Sequence, residues 1–270
     1  MNPILVASYS PDITEHLRLA REYGCGLEVQ AFSNPRVLEY SWRELLARYK
    51  EQLRGFEGPI SFHGAFFDMS TASPDPRIVA VTRQRYLLSM DIAAELGAKH
   101  IVFHTNFLPM IRTEQYRREW IERQREFWSE MSEELAKRDL EVALENMWDP
   151  DPFILHGLFY DLTIPHLGIC LDVSHAYLYR HNKKSDVKIW FDVLAPYIIH
   201  VHMNNSRGVI DEHLALNVTG GALNYARLLP YIFRLPRTPW LVIEIDNHQA
   251  LAQSLAFLQR LYPDHFRPRS

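Results

Sequence analysis

The chain has two cysteines, Cys25 and Cys170, and neither belongs to a CxxC pair. That scarcity gives no disulfide framework and makes a reducing, cytoplasmic setting the expectation. Low-complexity tracts and linkers rich in Pro, Gly or Ser are also missing, so residues 1–270 read as one domain. No window approaches the ~18 uninterrupted apolar residues that a membrane span requires. The apolar run in "MNPILVASYS" is too short for a signal peptide. Positive charge is not in surplus either. A formal net charge of -4 argues against a protein that coats nucleic acid non-specifically, although a local basic patch fits inside that total. What is abundant is apolar surface, with 47% hydrophobic residues in 270, enough to fill one sizeable core.

Eight short apolar runs bounded by turn residues punctuate the chain: "ILVASY" at 4, "GLEVQAF" at 26, "PISFHGA" at 59, "HIVFHTN" at 100, "LEVALEN" at 140, "LGICLDV" at 167, "IIHVHMN" at 198 and "WLVIEID" at 240. Longer segments with helical periodicity separate them. In residues 75–97, Asp75 is placed as an N-cap, Pro76 takes the first helical position and Gly97 ends the helix. Regular β/α alternation over ~250 residues predicts a (β/α)8 TIM barrel, with a doubly wound open sheet as the competing architecture.

Side chains of a strand alternate between its two faces, which sorts the ionisable residues. Val142 and Leu144 oppose Ala143 and Glu145; Ile169 and Leu171 oppose Cys170 and Asp172; Leu241 and Ile243 oppose Val242 and Glu244. Ile199 and Val201 likewise oppose His200 and His202, while Phe62 opposes His63 and Phe103 opposes His104. Bulky apolar groups are thus expected to face the covering helices, with one ionisable group per strand turned inward late in the run. In a barrel the late ends of all strands open on one mouth, so His63, His104, Glu145, Asp172, His202 and Glu244 converge there. Six such groups in a low-dielectric mouth cannot all stay charged and unpaired without large cost, and a bound metal removes that cost. "DVSH" brings His175 toward the same centre from the turn after Asp172, and "DEH" sets Asp211 and His213 on one side of an extended loop. His200, one repeat deeper than His202, reads as a core histidine or one that supports a ligand from behind.

In their order and spacing, "ISFHGAFFD", "IVFHTNF", "ALENM", "CLDVSHA", "HVHMNNSRGVIDEHLAL" and "LVIEI" resemble the xylose isomerase-like TIM-barrel superfamily over nearly the whole chain. That superfamily holds sugar and sugar-phosphate isomerases and epimerases together with the endonuclease IV branch of abasic-site nucleases. By resemblance to the isomerases, one divalent ion, Mn²⁺ or a similar cation, is held by Glu145, Asp172, His202 and Glu244. By resemblance to the nucleases, two further Zn²⁺ ions are held by His63 and His104 on one side and by His175, Asp211 and His213 on the other. All nine positions are filled here.

Departures from the nuclease pattern pull the other way. "HMNNSRGVIDEH" differs from the nuclease "HxNDSK" run at Asn205 and Arg207 and has a shortened spacer, and "ENMWDPDP" replaces a small, Gly-rich run. The loops "FFDMSTASPD", "NFLPM" and "NMWDPDP" are acidic or aromatic, whereas a duplex binder needs Lys and Arg along the phosphates. Arg180, Lys183 and Lys184 in "YLYRHNKK" are the basic residues suited to a single phosphate, if they are not merely a solvated helix start.

The expectation is therefore a metal-dependent isomerase or epimerase acting on a sugar or sugar phosphate. Glu145 and Glu244 move the proton between them, and His175 and Arg207 bind substrate oxygens. Phe66, Phe67, Phe107, Trp148 and Tyr177 form an apolar wall, or else anchor the loops. An endonuclease IV-like zinc phosphodiesterase cleaving abasic-site DNA is the alternative, and a barrel that binds carbohydrate or metal without turnover is a third. The expected partner is a small carbohydrate, or DNA under the alternative, with no membrane. Assembly into a homo-oligomer is left open.

Overall fold

The computed structural model describes residues 2–184 and 186–266. Its strands are β1 (Ile4–Ser8), β2 (Gly26–Val29), β3 (Ile60–His63), β4 (His100–His104), β5 (Glu141–Glu145), β6 (Leu167–Asp172), β7 (Ile198–Met203) and β8 (Trp240–Ile243). They pair in parallel, each with its neighbour in sequence, and β1 closes on β8, which makes the (β/α)8 barrel. All eight apolar runs are strands, and closure excludes the open doubly wound sheet. Among the described residues no helix is long and apolar enough to cross a membrane.

Helix signals sit where the sequence places them. The helix Pro76–Glu95 begins on the Asp75 side chain, which accepts the Arg77 amide at 2.8 Å, and the chain leaves it through Gly97 at φ +75°. Only a residue that tolerates a left-handed backbone makes that exit without strain. The outward faces of the strands meet such helices in one continuous apolar core that includes Phe62, Phe103, Leu144, Leu171, Val201 and Ile243. Aromatic residues thicken this layer beneath β3 and β4: Tyr86 stacks on Phe103 with centroids 3.8 Å apart, and on Trp128 at 5.8 Å.

The barrel interior departs from the simple alternation in one place. Ile199 is expected on the helix-facing side, yet it packs inside the barrel with Val102, Ala143 and Cys170. The register between β6 and β7 shifts there, Ile169 opposing Ile198 while Cys170 opposes His200, so one residue of β7 is extra. A bulge of this kind frees a side chain from strict alternation. Gly168 makes room for it, since a Cβ at that position would lie 2.7 Å from the Ile199 side chain.

This contact yields a stability prediction. Gly168→Ala is expected to cost about 1–3 kcal/mol in urea unfolding through overpacking. Combined with Ile199→Ala, it is expected to cost clearly less than the sum of the two single changes, because the clash disappears with the isoleucine. Additive costs would mean that Ile199 does not occupy the space above Gly168.

Candidate metal centre

The strand ends bring the sequence-predicted residues to the barrel mouth. Glu145, Asp172, His202 and Glu244, from β5, β6, β7 and the residue after β8, are buried, with potential ligand atoms within 4.8 Å of one another. His202 Nδ1 lies 3.1 Å from Glu145 Oε1 and 3.5 Å from Glu244 Oε2. His63, His104 and Glu145 form an adjoining group of the same tightness. Here His63 Nε2 and His104 Nε2 face each other at 3.1 Å and both approach Glu145 Oε2, at 3.3 and 2.9 Å. Glu145 therefore stands between the two groups, one oxygen turned to each.

The third set gathers around Asp211. Its Oδ2 lies 3.1 Å from His175 Nε2 and 3.0 Å from His213 Nε2. The Asp172 side chain caps the helix Val173–Leu178 by accepting the His175 amide at 2.6 Å, which fixes the histidine three residues on. The opposite ring nitrogen of His175 is set by the Asn146 carbonyl at 3.0 Å, and that of His213 by the Glu244 carbonyl at 2.9 Å. His213 itself sits at φ +49°, a left-handed conformation costly for a residue with a Cβ.

Charge in this mouth is balanced by protons on imidazoles. Burial pushes the Asp172 carboxyl up to about 7; Glu145, Glu244 and Asp211 add to the push, and His175 opposes it. Burial disfavours charge on His175, but Asp172, Asp211 and Glu145 outweigh it and raise its pKa to about 10. His213 is raised to about 10 in the same way, with Glu244 and Asp211 overcoming burial. Against their own burial, the Glu145 carboxyl is held well below its ordinary range by His202 and His104, and Asp211 is lowered by hydrogen bonds from His175 and His213. Burial lowers His104, so it favours the neutral form that a metal ligand needs.

The donor set fits a divalent cation. Three carboxylates and an imidazole converge in a buried volume, and Glu244 Oε2 and Asp211 Oδ1 are buried without a hydrogen-bond partner. An oxygen-rich set with one imidazole suits Mn²⁺ or Mg²⁺, and the surrounding imidazoles suit Zn²⁺.

The xylose isomerase-like TIM barrel family matches residues 17–261. The chain belongs to that family. A Thermus thermophilus protein, in a structure soaked with ZnCl2, is 31% identical, with 98% of this chain and 99% of that one covered and a TM-score of 0.75. An uncharacterized protein of Methanocaldococcus jannaschii is 25% identical over 265 residues, 95% of this chain and 85% of that protein. A D-tagatose 3-epimerase-like protein shares the fold, with 22% identity, 98% of both chains covered and a TM-score of 0.75.

Within this family frame, the residues outside the nine fall into distinct places. The Phe66 ring lies 4.3 Å from that of His104 and 6.4 Å from that of His63, so it covers the imidazoles. Half-buried Trp148 donates its indole N–H to Tyr179, whose ring is 5.9 Å from that of His175. Phe107 packs on Tyr116 and Trp120 and anchors its loop, whereas Phe67 is half exposed. Tyr177 lies 3.7 Å beneath the Arg180 guanidinium. Arg207 is not brought to the cluster: its 58% exposed side chain pairs with Glu212 at 2.6 Å. Arg180 bonds the carbonyls of Tyr177 and Lys183, and Lys183 bonds that of Leu178, so both hold their own loop.

Sequence reasoning missed Tyr9, Glu28 and Gln30. Tyr9 donates its hydroxyl to Glu244 Oε1 at 3.2 Å, and Gln30 Nε2 donates to the same oxygen at 2.9 Å. Glu28, fully buried in the barrel, lies 3.0 Å from His202 and 2.9 Å from His200. The signal was available, because Glu28 and Gln30 alternate on one face of an otherwise apolar run.

The raised histidines set a pH dependence for the metal-free protein. Below the ordinary imidazole pKa of about 6.5, His175 and His213 carry protons folded or unfolded, and their attraction to the acids is fully present. As pH rises toward about 10 only the folded chain still holds those protons, so the stabilisation declines and is lost. The thermal midpoint of chelator-stripped protein is expected to fall between pH 7 and 10, and His213→Gln is expected to flatten the fall. A His213→Gln profile as steep as the parent's would contradict this assignment.

Proposed function

We propose that this chain is a divalent-metal-dependent isomerase or epimerase of a sugar or sugar phosphate. The observation that carries the proposal is the buried Glu145, Asp172, His202 and Glu244 set, in which two glutamates from opposite parts of the barrel converge on one centre. When bound there, the cation would polarise a substrate carbonyl and acidify the neighbouring C–H. Glu145 and Glu244 then remove the proton from one face of the carbon and return it from the other, or at the adjacent carbon. Tyr9 and Gln30 hold Glu244 Oε1, so Glu244 turns its partnerless Oε2 inward. His175 offers its Nε2–H to a substrate oxygen only after its contact with Asp211 opens, and Phe66 excludes water above the imidazoles. Arg207 serves a substrate only after its pair with Glu212 opens.

A second reading keeps its own support. The His63–His104–Glu145 group and the His175–Asp211–His213 group flank the first set, and His63 Nε2 and His104 Nε2 meet at 3.1 Å. Additional Zn²⁺ ions there would make the site an endonuclease IV-like phosphodiesterase acting on abasic-site DNA. The rim argues for the smaller substrate, because Arg180, Lys183 and Arg207 are spent on contacts within their own loops.

Glu145→Gln and Glu244→Gln are each expected to lower turnover by at least about 10²-fold with the fold intact, the scale of a lost general base. Solvent deuterium incorporation over a panel of ketoses, aldoses and their phosphates reads the reaction. Metal content by inductively coupled plasma mass spectrometry separates the two readings: about one ion per chain supports the isomerase and about three zinc ions the nuclease. A fully active Glu244→Gln enzyme would sink both.

A further inference from the structure

The geometry points to Glu28 as a positioning residue that fixes the orientation of His202, so that Nδ1 faces the metal and Nε2 carries the proton. The inference rests on the reading of Glu145, Asp172, His202 and Glu244 as a metal site. Four observations carry it. His202 turns Nδ1 to the carboxylates of Glu145 and Glu244, which leaves Nε2 pointing into the barrel. That nitrogen is fully buried, and Glu28 Oε1 lies 3.0 Å from it. The N–H and the oxygen are at hydrogen-bond distance but off the donor axis in the metal-free arrangement, so Nε2 still lacks an aligned partner. Glu28 itself cannot move away, because Ser61 Oγ at 2.8 Å, Gln30 Nε2 at 2.9 Å and His200 Nε2 at 2.9 Å hold its two oxygens.

A carboxylate behind a liganding imidazole fixes its tautomer and ring angle and makes the facing nitrogen a better donor. Glu28 is placed for that task from β2, a strand that contributes no ligand. Its support also runs deeper: His200 Nδ1 lies 3.2 Å from His100 Nδ1, and the His100 ring stacks on Trp240 with centroids 4.3 Å apart. The carboxylate thus rests on a packed interior layer, and a shift of His202 would have to carry Glu28 with it. The adjacent thiol of Cys170 is the competing partner for Nε2, since Cys170, His200 and His202 also lie within 4.8 Å of one another.

The test reads metal binding and ring nitrogen state, without activity. Zn²⁺ affinity is measured by chelator competition on the full chain and on Glu28→Gln and Cys170→Ala. Glu28→Gln is expected to weaken binding by about 10- to 100-fold, and Cys170→Ala by less than about threefold. Nitrogen-15 spectra of the zinc-loaded parent are expected to show His202 with metal on Nδ1 and hydrogen on Nε2. This measurement needs no variant, so it can overturn the orientation of His202 even where Glu28→Gln fails to fold. Metal on Nε2, or a Glu28→Gln affinity within about twofold of the parent, overturns the inference. A larger loss in Cys170→Ala than in Glu28→Gln transfers the role to the thiol and overturns it too. A parent that binds no Zn²⁺ or Mn²⁺ overturns the metal site itself, an outcome distinct from a parent that binds and a variant that is unaffected.

Discussion

The structure depends on how negative charge is kept inside the mouth of a closed barrel. Glu28, Glu145, Asp172 and Glu244 are buried, and Asp211 stands beside them. Removed from water, each would be expensive to ionise alone. Six histidines lie against these acids: His63, His175, His202 and His213 are raised and carry compensating protons, whereas burial keeps His104 and His200 toward the neutral form. The carboxylates are close because the barrel forces strand ends together; neighbouring imidazoles hold Glu28, Glu145 and Asp211 ionised, while burial pushes Asp172 up to about 7. Parallel closure, with every strand end opening on one face, is the geometric condition for both.

That condition also explains why so much of the barrel interior is polar. A barrel of this size is filled by layers of side chains, commonly aliphatic. Here Ser61, Glu28, His100 and His200 occupy the interior below the mouth, and the aliphatic share is limited to two small clusters built on Val102, Ala143, Cys170 and Ile199, and on Leu5, Ala7 and Val242. Buried polar groups are tolerated when each finds a partner, and the hydrogen bonds from Ser61, Gln30 and His200 to Glu28 meet that demand. The layer supports the mouth residues from below, while the helices and their apolar core provide the cohesion of the fold.

The loops divide the labour differently from the strands. Asp172 caps a helix and so brings His175 to the mouth, and the loop after β7 returns Asp211 and His213 to the same place. Between these ends the same loop exposes Val209 and Ile210 at 84% and 65%, and pairs Arg207 with Glu212. The two ends of this loop thus reach the mouth while its middle faces solvent.

The sequence alone determined the eight strands, the helix signals at Asp75 and Gly97, and the six inward groups at the strand ends. All of these follow from local rules: turn residues bound the runs, and alternation assigns faces. The "DVSH" and "DEH" spacings placed His175, Asp211 and His213 only loosely, and the family resemblance implied their role. Tertiary structure alone decided the rest. It turned Ile199 inward, because a bulge breaks alternation and Gly168, distant from it in sequence, supplies the space. It also set Glu28 behind His202 and joined Tyr9 and Gln30 to Glu244, because those partners meet only when β1 closes on β8 and the chain's two ends share one wall. Alternation states which face a side chain takes, but only closure states what it finds there.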